Sequence, residues 1–402
     1  MIKTNKSLLI GLISTVCIFT SCSSDEETFA DVPPHILEME NVTIYSSADI
    51  SSADTLRLTR EQVFGDTDDE PIASYGSVRS DRFGRVYIGD RQRHSVHIFE
   101  EDGQYMGRIG REGSGPGEFQ WVGGMEIYKN HLYVNDPNGR RINLFELGSD
   151  GQSLPVFDSA IIIGSDSWEN LPEPNFMNPG FHSISSEGSL ILSSRSSPLL
   201  YRENPDETGV RKYYRWNGDH QAQPEKFFEI SEPEHIVTEW FTIPPPFANR
   251  QIMTMSDNDM IYLADSSEFL IQTFSSAGEY QSAVYYPFEK RNLTRNDALN
   301  SVDNHEQLQD AVQSMQLPNT WPALQQMYTD NTGRIWISVY AKDKEINEWW
   351  VLEESGDLRA RFELPNGTAI ATIRDDYLFT RETDPDTGLQ QVVRYSIEVE
   401  DS

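Results

Sequence analysis

Tyr87-Ile88-Gly89-Asp90, followed by Val96-His97-Ile98-Phe99, decides how this chain folds, because the same pattern returns. Tyr133-Val134-Asn135-Asp136 with Ile142-Asn143-Leu144-Phe145 stands 46 residues further on, at identical offsets. Tyr262-Leu263-Ala264-Asp265 with Leu270-Ile271-Gln272-Thr273-Phe274 is a third copy. In all three, Asp lies 3 and Phe 12 positions after Tyr. Alternating apolar residues make each half a strand with one face on a core. The Asp ends the first strand, where its carboxylate can accept turn amides. A Gly turn follows, as at Asp102-Gly103, Asp150-Gly151 and Ala277-Gly278, and another strand leads to the next unit. Upstream of each Tyr sits a short strand and a polar turn, such as Ser80-Asp81-Arg82-Phe83-Gly84. Four short strands in about 40–45 residues is the blade of a β-propeller.

Weaker copies extend the array. Ser186-Glu187-Gly188-Ser189-Leu190-Ile191-Leu192, Asp330-Asn331-Thr332-Gly333-Arg334-Ile335-Trp336-Ile337 and Arg374-Asp375-Asp376-Tyr377-Leu378-Phe379 carry the turn and second strand. Six blades of four strands are expected, starting near residues 75, 121, 179, 248, 323 and 368. The stretch 150–245 is long enough to leave seven open. The sixth blade runs out of chain after three strands, so the strand-like segment Val42–Leu58 is expected to supply its outer strand and close the ring. Closure removes open sheet edges. Leu299, Val302, Leu308, Val312 and Met315 recur at helical spacing, with Thr294 as N-cap, which predicts one helical insertion over 294–316.

The 402 residues carry 64 Asp+Glu against 32 Lys+Arg, a formal charge of −32. Such a surface repels phosphates and excludes a sequence-blind nucleic-acid binder. The 37% hydrophobic fraction and 11% aromatics require a folded core. The N-terminus reads as an address. Lys3 and Lys6 precede an apolar run from Leu8 to Phe19, too short for a bilayer span but suited to a secretory signal. Phe19-Thr20-Ser21-Cys22 resembles the lipobox of bacterial lipoproteins, with Phe19 in place of the usual Leu or Val, and implies lipidation at Cys22. The domain reading is a signal peptide at 1–21, a flexible tether at 22–38 and the propeller at 39–402. Cys17 leaves with the signal, so no disulfide is expected. Asp25-Glu26-Glu27 is similar to a surface-export tag, which places the anchor in a bacterial outer membrane.

Ile109-Gly110-Arg111-Glu112-Gly113-Ser114-Gly115-Pro116-Gly117-Glu118-Phe119 resembles the linker of NHL-repeat propellers. Asp136, Asn138, Arg141 and Ile142 match the motif that follows it in that family. In the first blade Gln92 and Ser95 depart from it. The resemblance is to six-bladed propeller lipoproteins of the Bacteroidota type, and implies that Asn and Arg fix turn and neighbouring blade.

No catalytic set assembles in the sequence. His94 and His97, three apart on one strand, would face opposite ways and share no metal. There is no Gly-x-Ser-x-Gly elbow, and the glycines 110–117 open no helix and so form no phosphate cradle. The acidic runs Asp66–Glu70 and Asp384–Asp386 offer oxygens for Ca²⁺ but lack a full loop pattern. What remains is positional. Segments entering each innermost strand crowd one mouth of a propeller's central funnel, and here they are aromatic and polar. Arg79, Trp121, Glu126, Asn249, Arg250 and Trp321 are the candidate ligand-binding residues. The expected function is a monomeric, lipid-anchored envelope protein that binds a glycan, peptide or protein at the funnel mouth, without catalysis or cofactor. The alternative is a propeller lyase or hydrolase with a metal in the funnel and Glu126 and Arg79 in the chemistry.

Overall fold

The computed structural model describes residues 32–65, 71–164, 171, 173, 175–204, 207–219, 222–302 and 305–400. The signal segment, Cys22, the first ten residues of the tether and the acidic run 66–70 lie outside the described residues.

The repeat read from sequence becomes six four-stranded antiparallel blades, with blades five and six joined in one eight-stranded sheet and a fifth, parallel strand added to blade four. Blade one is Tyr75–Ser80, Val86–Asp90, Ser95–Phe99 and Tyr105–Ile109, ordered from the axis outward. Blades two to five occupy 125–162, 180–231, 251–285 and 324–365. Blade six has Ala369–Arg374, Tyr377–Thr383 and Gln390–Glu400. Its outer strand comes from the start of the chain: Asp54–Phe64 pairs antiparallel with Gln390–Glu400, from Thr55 opposite Glu400 to Phe64 opposite Val392.

The closing strand therefore lies later than the expected Val42–Leu58. Val42–Ile44 instead runs parallel to the outer strand of blade four, with Val42 opposite Ala283. Between them the backbone turns through Ser47–Ser51, a helical turn held by a capping box in which Ser46 and Asp49 bond each other's amides. That box interrupts the strand. The tether also ends earlier than residue 38. Pro34–Leu37 forms a helical turn, and Ile36 is fully buried against Leu270, Ala283 and Tyr285. Tyr45 stacks on Tyr286 at 4.3 Å and donates its hydroxyl to Asp357 at 2.7 Å. Residues 32–64 thus strap blades four, five and six together.

A blade is buried on both faces, so its middle strands read as continuous apolar runs. Val86–Asp90 and Ile335–Val339 are buried at every position. Six apolar cores fill the six gaps between neighbouring blades. One joins blades one and two through Tyr87, Val96, Met125 and Val134. Another joins blades six and one through Phe64, Phe379, Val392, Val78 and Ile88. That last contact makes the array a ring.

Polar turns lock the opposite ends of the strands. Asp81 accepts from the amides of Phe83 (2.9 Å) and Arg85 (3.1 Å), from Arg85 Nε (2.7 Å) and from the Tyr87 hydroxyl (2.9 Å). Asp330 repeats the arrangement in blade five with Thr332, Arg334 and Trp336 Nε1. The turn glycines Gly103, Gly151 and Gly278 have φ of 88°, 69° and 81°, a region that strains any side chain with a Cβ.

The helical insertion is present but consists of two helices, Arg295–Ser301 and Glu306–Ser314. Thr294 caps the first, as expected, with Asp297 completing a capping box. Ala298, Val302, Leu308 and Val312 form a core with Ile236, Phe247 and Trp321 beside the entry to blades four and five.

Candidate functional site

Asp136 shows how the repeat builds the mouth of the funnel. Its carboxylate accepts from the amides of Gln120 (3.1 Å), Trp121 (3.0 Å) and Gly139 (3.0 Å), and from Arg141 Nε (3.1 Å). Arg141 also donates to the carbonyls of Ser114 and Glu118, both at 2.7 Å, and Asn143 Nδ2 donates to Glu118 at 3.1 Å. The buried Asp and Arg thereby fix the glycine-rich linker and the segment entering blade two. Asp90 serves blade one likewise, accepting from the amides of Ala73 (2.7 Å) and Ser74 (3.2 Å). In blade six Arg381 stands on the second strand, opposite Ala369 of the innermost strand.

A cavity of about 310 Å³ opens between these entry segments. Blade one contributes Gly76, Ser77 and Val78, the entry to blade two contributes Trp121, Gly123 and Gly124, and blade six contributes Ile370, Ala371 and Arg381. Arg91 and Tyr328 complete the wall. Trp121 leaves 40% of its surface exposed. A Cβ added at Gly76 would sit 3.5 Å from the Arg91 side chain, whereas one added at Gly124 would meet nothing within 4 Å. Gly124 therefore faces open space. Burial pushes the Tyr328 hydroxyl pKa up, and Arg381 pulls it back, so the two side chains are electrostatic neighbours.

Deeper in the funnel, Arg79 and Glu126 occupy adjacent innermost strands. Arg79 Nε donates to Glu126 Oε2 at 3.1 Å, and its second guanidinium nitrogen donates to Oε1. Both side chains are about a quarter exposed, at 27% and 26%. Burial works against the Arg79 charge, but the Glu126 carboxylate outweighs it and raises the guanidinium pKa. The strands bring these two expected residues together as partners of each other.

His182, on the innermost strand of blade three, is held neutral. Burial first, then Arg211, lowers its pKa to about 4. Because the folded pKa lies below the ordinary value, the unfolded chain binds the proton more tightly. Its contribution is intact above about pH 6.5 and is lost as pH falls toward 4. Urea unfolding should show the wild type losing about 2 kcal/mol more than His182→Gln between pH 7 and pH 5. Equal losses would remove His182 from the acid response.

The remaining expected residues are placed elsewhere. Asn249 is exposed and does not line the cavity. Arg250 is held within its own entry loop: its amide donates to Ser266 Oγ (2.7 Å) and its guanidinium to the Pro246 carbonyl (3.2 Å). Trp321 is a correction. It is only 5% exposed, lies 4.9 Å from the Tyr340 ring and carries Arg291 4.8 Å above its own. The two helices use it as floor, so it offers no face to a ligand. His94 is a further difference: it sits in a turn at φ 52°, before the strand that carries His97. Among the described residues no three His, Cys, Asp or Glu side chains converge as a metal site. Asp384 accepts the amides of Asp386 (3.0 Å) and Thr387 (2.8 Å) within a turn, and the Thr387 amide is the main cause of its lowered pKa.

Sequence reasoning missed Arg91, Arg381, Gly124 and Tyr328.

Residues 65–165, which include blades one and two, match the domain family DUF5128, described as 6-bladed beta-propeller. The chain is a six-bladed β-propeller. No curated protein matches it significantly in sequence. Among solved structures, a Bacteroides fragilis protein described as exported is 12% identical, with TM-score 0.48 over 89% of this chain and 99% of that one. A Bacteroides vulgatus member of the DUF4221 family is 11% identical, with TM-score 0.47 over 87% and 99%. No helix of the described residues is long and apolar enough to cross a membrane.

Proposed function

We propose that this propeller is an exported envelope protein, anchored through a lipid on Cys22, that binds a ligand at its funnel mouth without transforming it. The observation that carries the binding role is the cavity between blades one, two and six, with the half-exposed Trp121 ring beside it. Its volume of about 310 Å³ sits at the lower end of the roughly 300–1,000 Å³ usual for small-ligand sites. The indole offers a flat apolar face, while Ser77 and the arginines offer polar contacts, the mixture such sites use to bind and to orient. Arg79 and Glu126 satisfy each other, and neither lines this cavity. The anchoring role is supported by the lipobox-like Phe19-Thr20-Ser21-Cys22.

Gly124→Leu tests the site. Glycine there is required neither by a positive φ nor by a close neighbour. The leucine side chain should fill the cavity and leave the melting temperature unchanged. In a glycan and small-molecule panel read by calorimetry, ligands of the wild type should lose at least tenfold in affinity. Unchanged affinities would place binding elsewhere. Cys22→Ser should release the protein from the membrane fraction, and retention of this variant would refute the anchor.

A further inference from the structure

We infer that the funnel mouth takes an anionic saccharide, its carboxylate or sulfate ester held by Arg91 and Arg381 while a sugar ring lies on Trp121; this rests on reading the mouth as a binding site. With 64 acids to 32 bases, carboxylates are plentiful partners for guanidinium groups in this chain. Arg79, Arg85, Arg141, Arg334 and Arg394 all have one. Arg91 and Arg381 have neither a carboxylate within ion-pair distance nor a side-chain hydrogen bond among the described residues, and both line the same cavity. Arg381 is also partly buried. A half-buried cation without a partner is costly, and two facing one cavity repel.

Arg381 lies on the second strand of blade six, opposite Ala369, and Arg91 directly follows the second strand of blade one, so the two come from neighbouring blades to one cavity. An arginine presents a planar fork matched to carboxylate and sulfate oxygens, so two of them can hold one anionic group by several charge-assisted bonds. Tyr328, next to Arg381, adds an aromatic wall, its hydroxyl donating to Gln326 Oε1 at 3.1 Å. The surrounding acidic surface disfavours anions at long range, so capture depends on these short contacts.

The test titrates the mature chain with three probes: an oligogalacturonate, a heparin-derived sulfated oligosaccharide and neutral cello-oligosaccharide of equal length. At least one charged probe should bind tenfold or more tighter than the neutral one, and which of them binds separates carboxylate from sulfate. Arg91→Gln and Arg381→Gln should each weaken that probe about tenfold to a hundredfold with unchanged melting temperatures. Trp121→Ala should weaken charged and neutral probes alike. If the neutral probe binds as well as the charged ones and only Gly124→Leu blocks it, the anionic class is wrong while the mouth stands. If no probe binds, or Gly124→Leu and both arginine variants bind a charged probe like wild type, the inference fails together with the mouth.

Discussion

Replacing Phe64 by alanine should destabilise the protein by about 3–5 kcal/mol, the cost of emptying a large buried aromatic site. Phe64 is the last residue of the closing strand and only 1% exposed. Its ring lies 6.1 Å from Phe99 of blade one and 6.3 Å from Phe379 of blade six. It therefore fills the seam where the end of the ring meets its beginning. Neighbouring side chains cannot collapse into the gap without pulling two blades toward each other, so the cavity term adds to the lost transfer energy. Urea unfolding followed by tryptophan fluorescence measures the effect. Leu37→Ala is the control, since Leu37 is exposed and should change stability by no more than about 0.5 kcal/mol. A comparably small loss at Phe64 would mean that the seam is not closed by this strand.

A second large effect is expected at Asp81. Asp81→Ala removes a carboxylate that serves four donors and leaves the Arg85 guanidinium, in a residue 1% exposed, without its counter-charge. Breaking a buried pair from one side costs about 3–5 kcal/mol, because the surviving charge stays desolvated. Arg85 keeps one bond, to the Ser153 carbonyl at 2.9 Å, which cannot neutralise it. The mechanism has its own signature. Asp81→Ala with Arg85→Met should be less destabilised than Asp81→Ala alone, because the orphaned charge is gone. Additive losses in that double-mutant cycle would show that the turn amides, and not the buried charge, dominate. Asp330 with Arg334 should behave alike, since blade five repeats the geometry with Trp336 in place of Tyr87.

Much of this architecture is legible in the chain, because a blade buries both faces and the same spacing must recur for each gap to fill. The copies at Tyr87, Tyr133 and Tyr262 set the phase, and all six blade starts follow from it. The start of the chain was harder. Val42–Ile44 and Asp54–Phe64 are both strand-like, and nothing local says which neighbour each pairs with. The Ser46–Asp49 capping box was the available hint that the two are separate. At the mouth, Arg79 and Glu126 were readable as inner-strand residues, because register follows from the repeat. Trp321 was not, since its burial depends on helices that fold back over it. Arg381 is concealed because the sixth unit carries only a weak copy of the repeat, which does not show that the far end of its second strand meets blade one.

The funnel and its mouth exist only if residues 54–64 seal the ring. Hydrogen–deuterium exchange on the intact protein reads this directly. The strand Asp54–Phe64 pairs along its length with Gln390–Glu400 and meets blade five only at Asp54 and Thr55, so its alternate amides that point at Gln390–Glu400 should exchange far more slowly than loop amides. Rapid, loop-like exchange across 55–64, with Val86–Asp90 still protected, would contradict the closed ring.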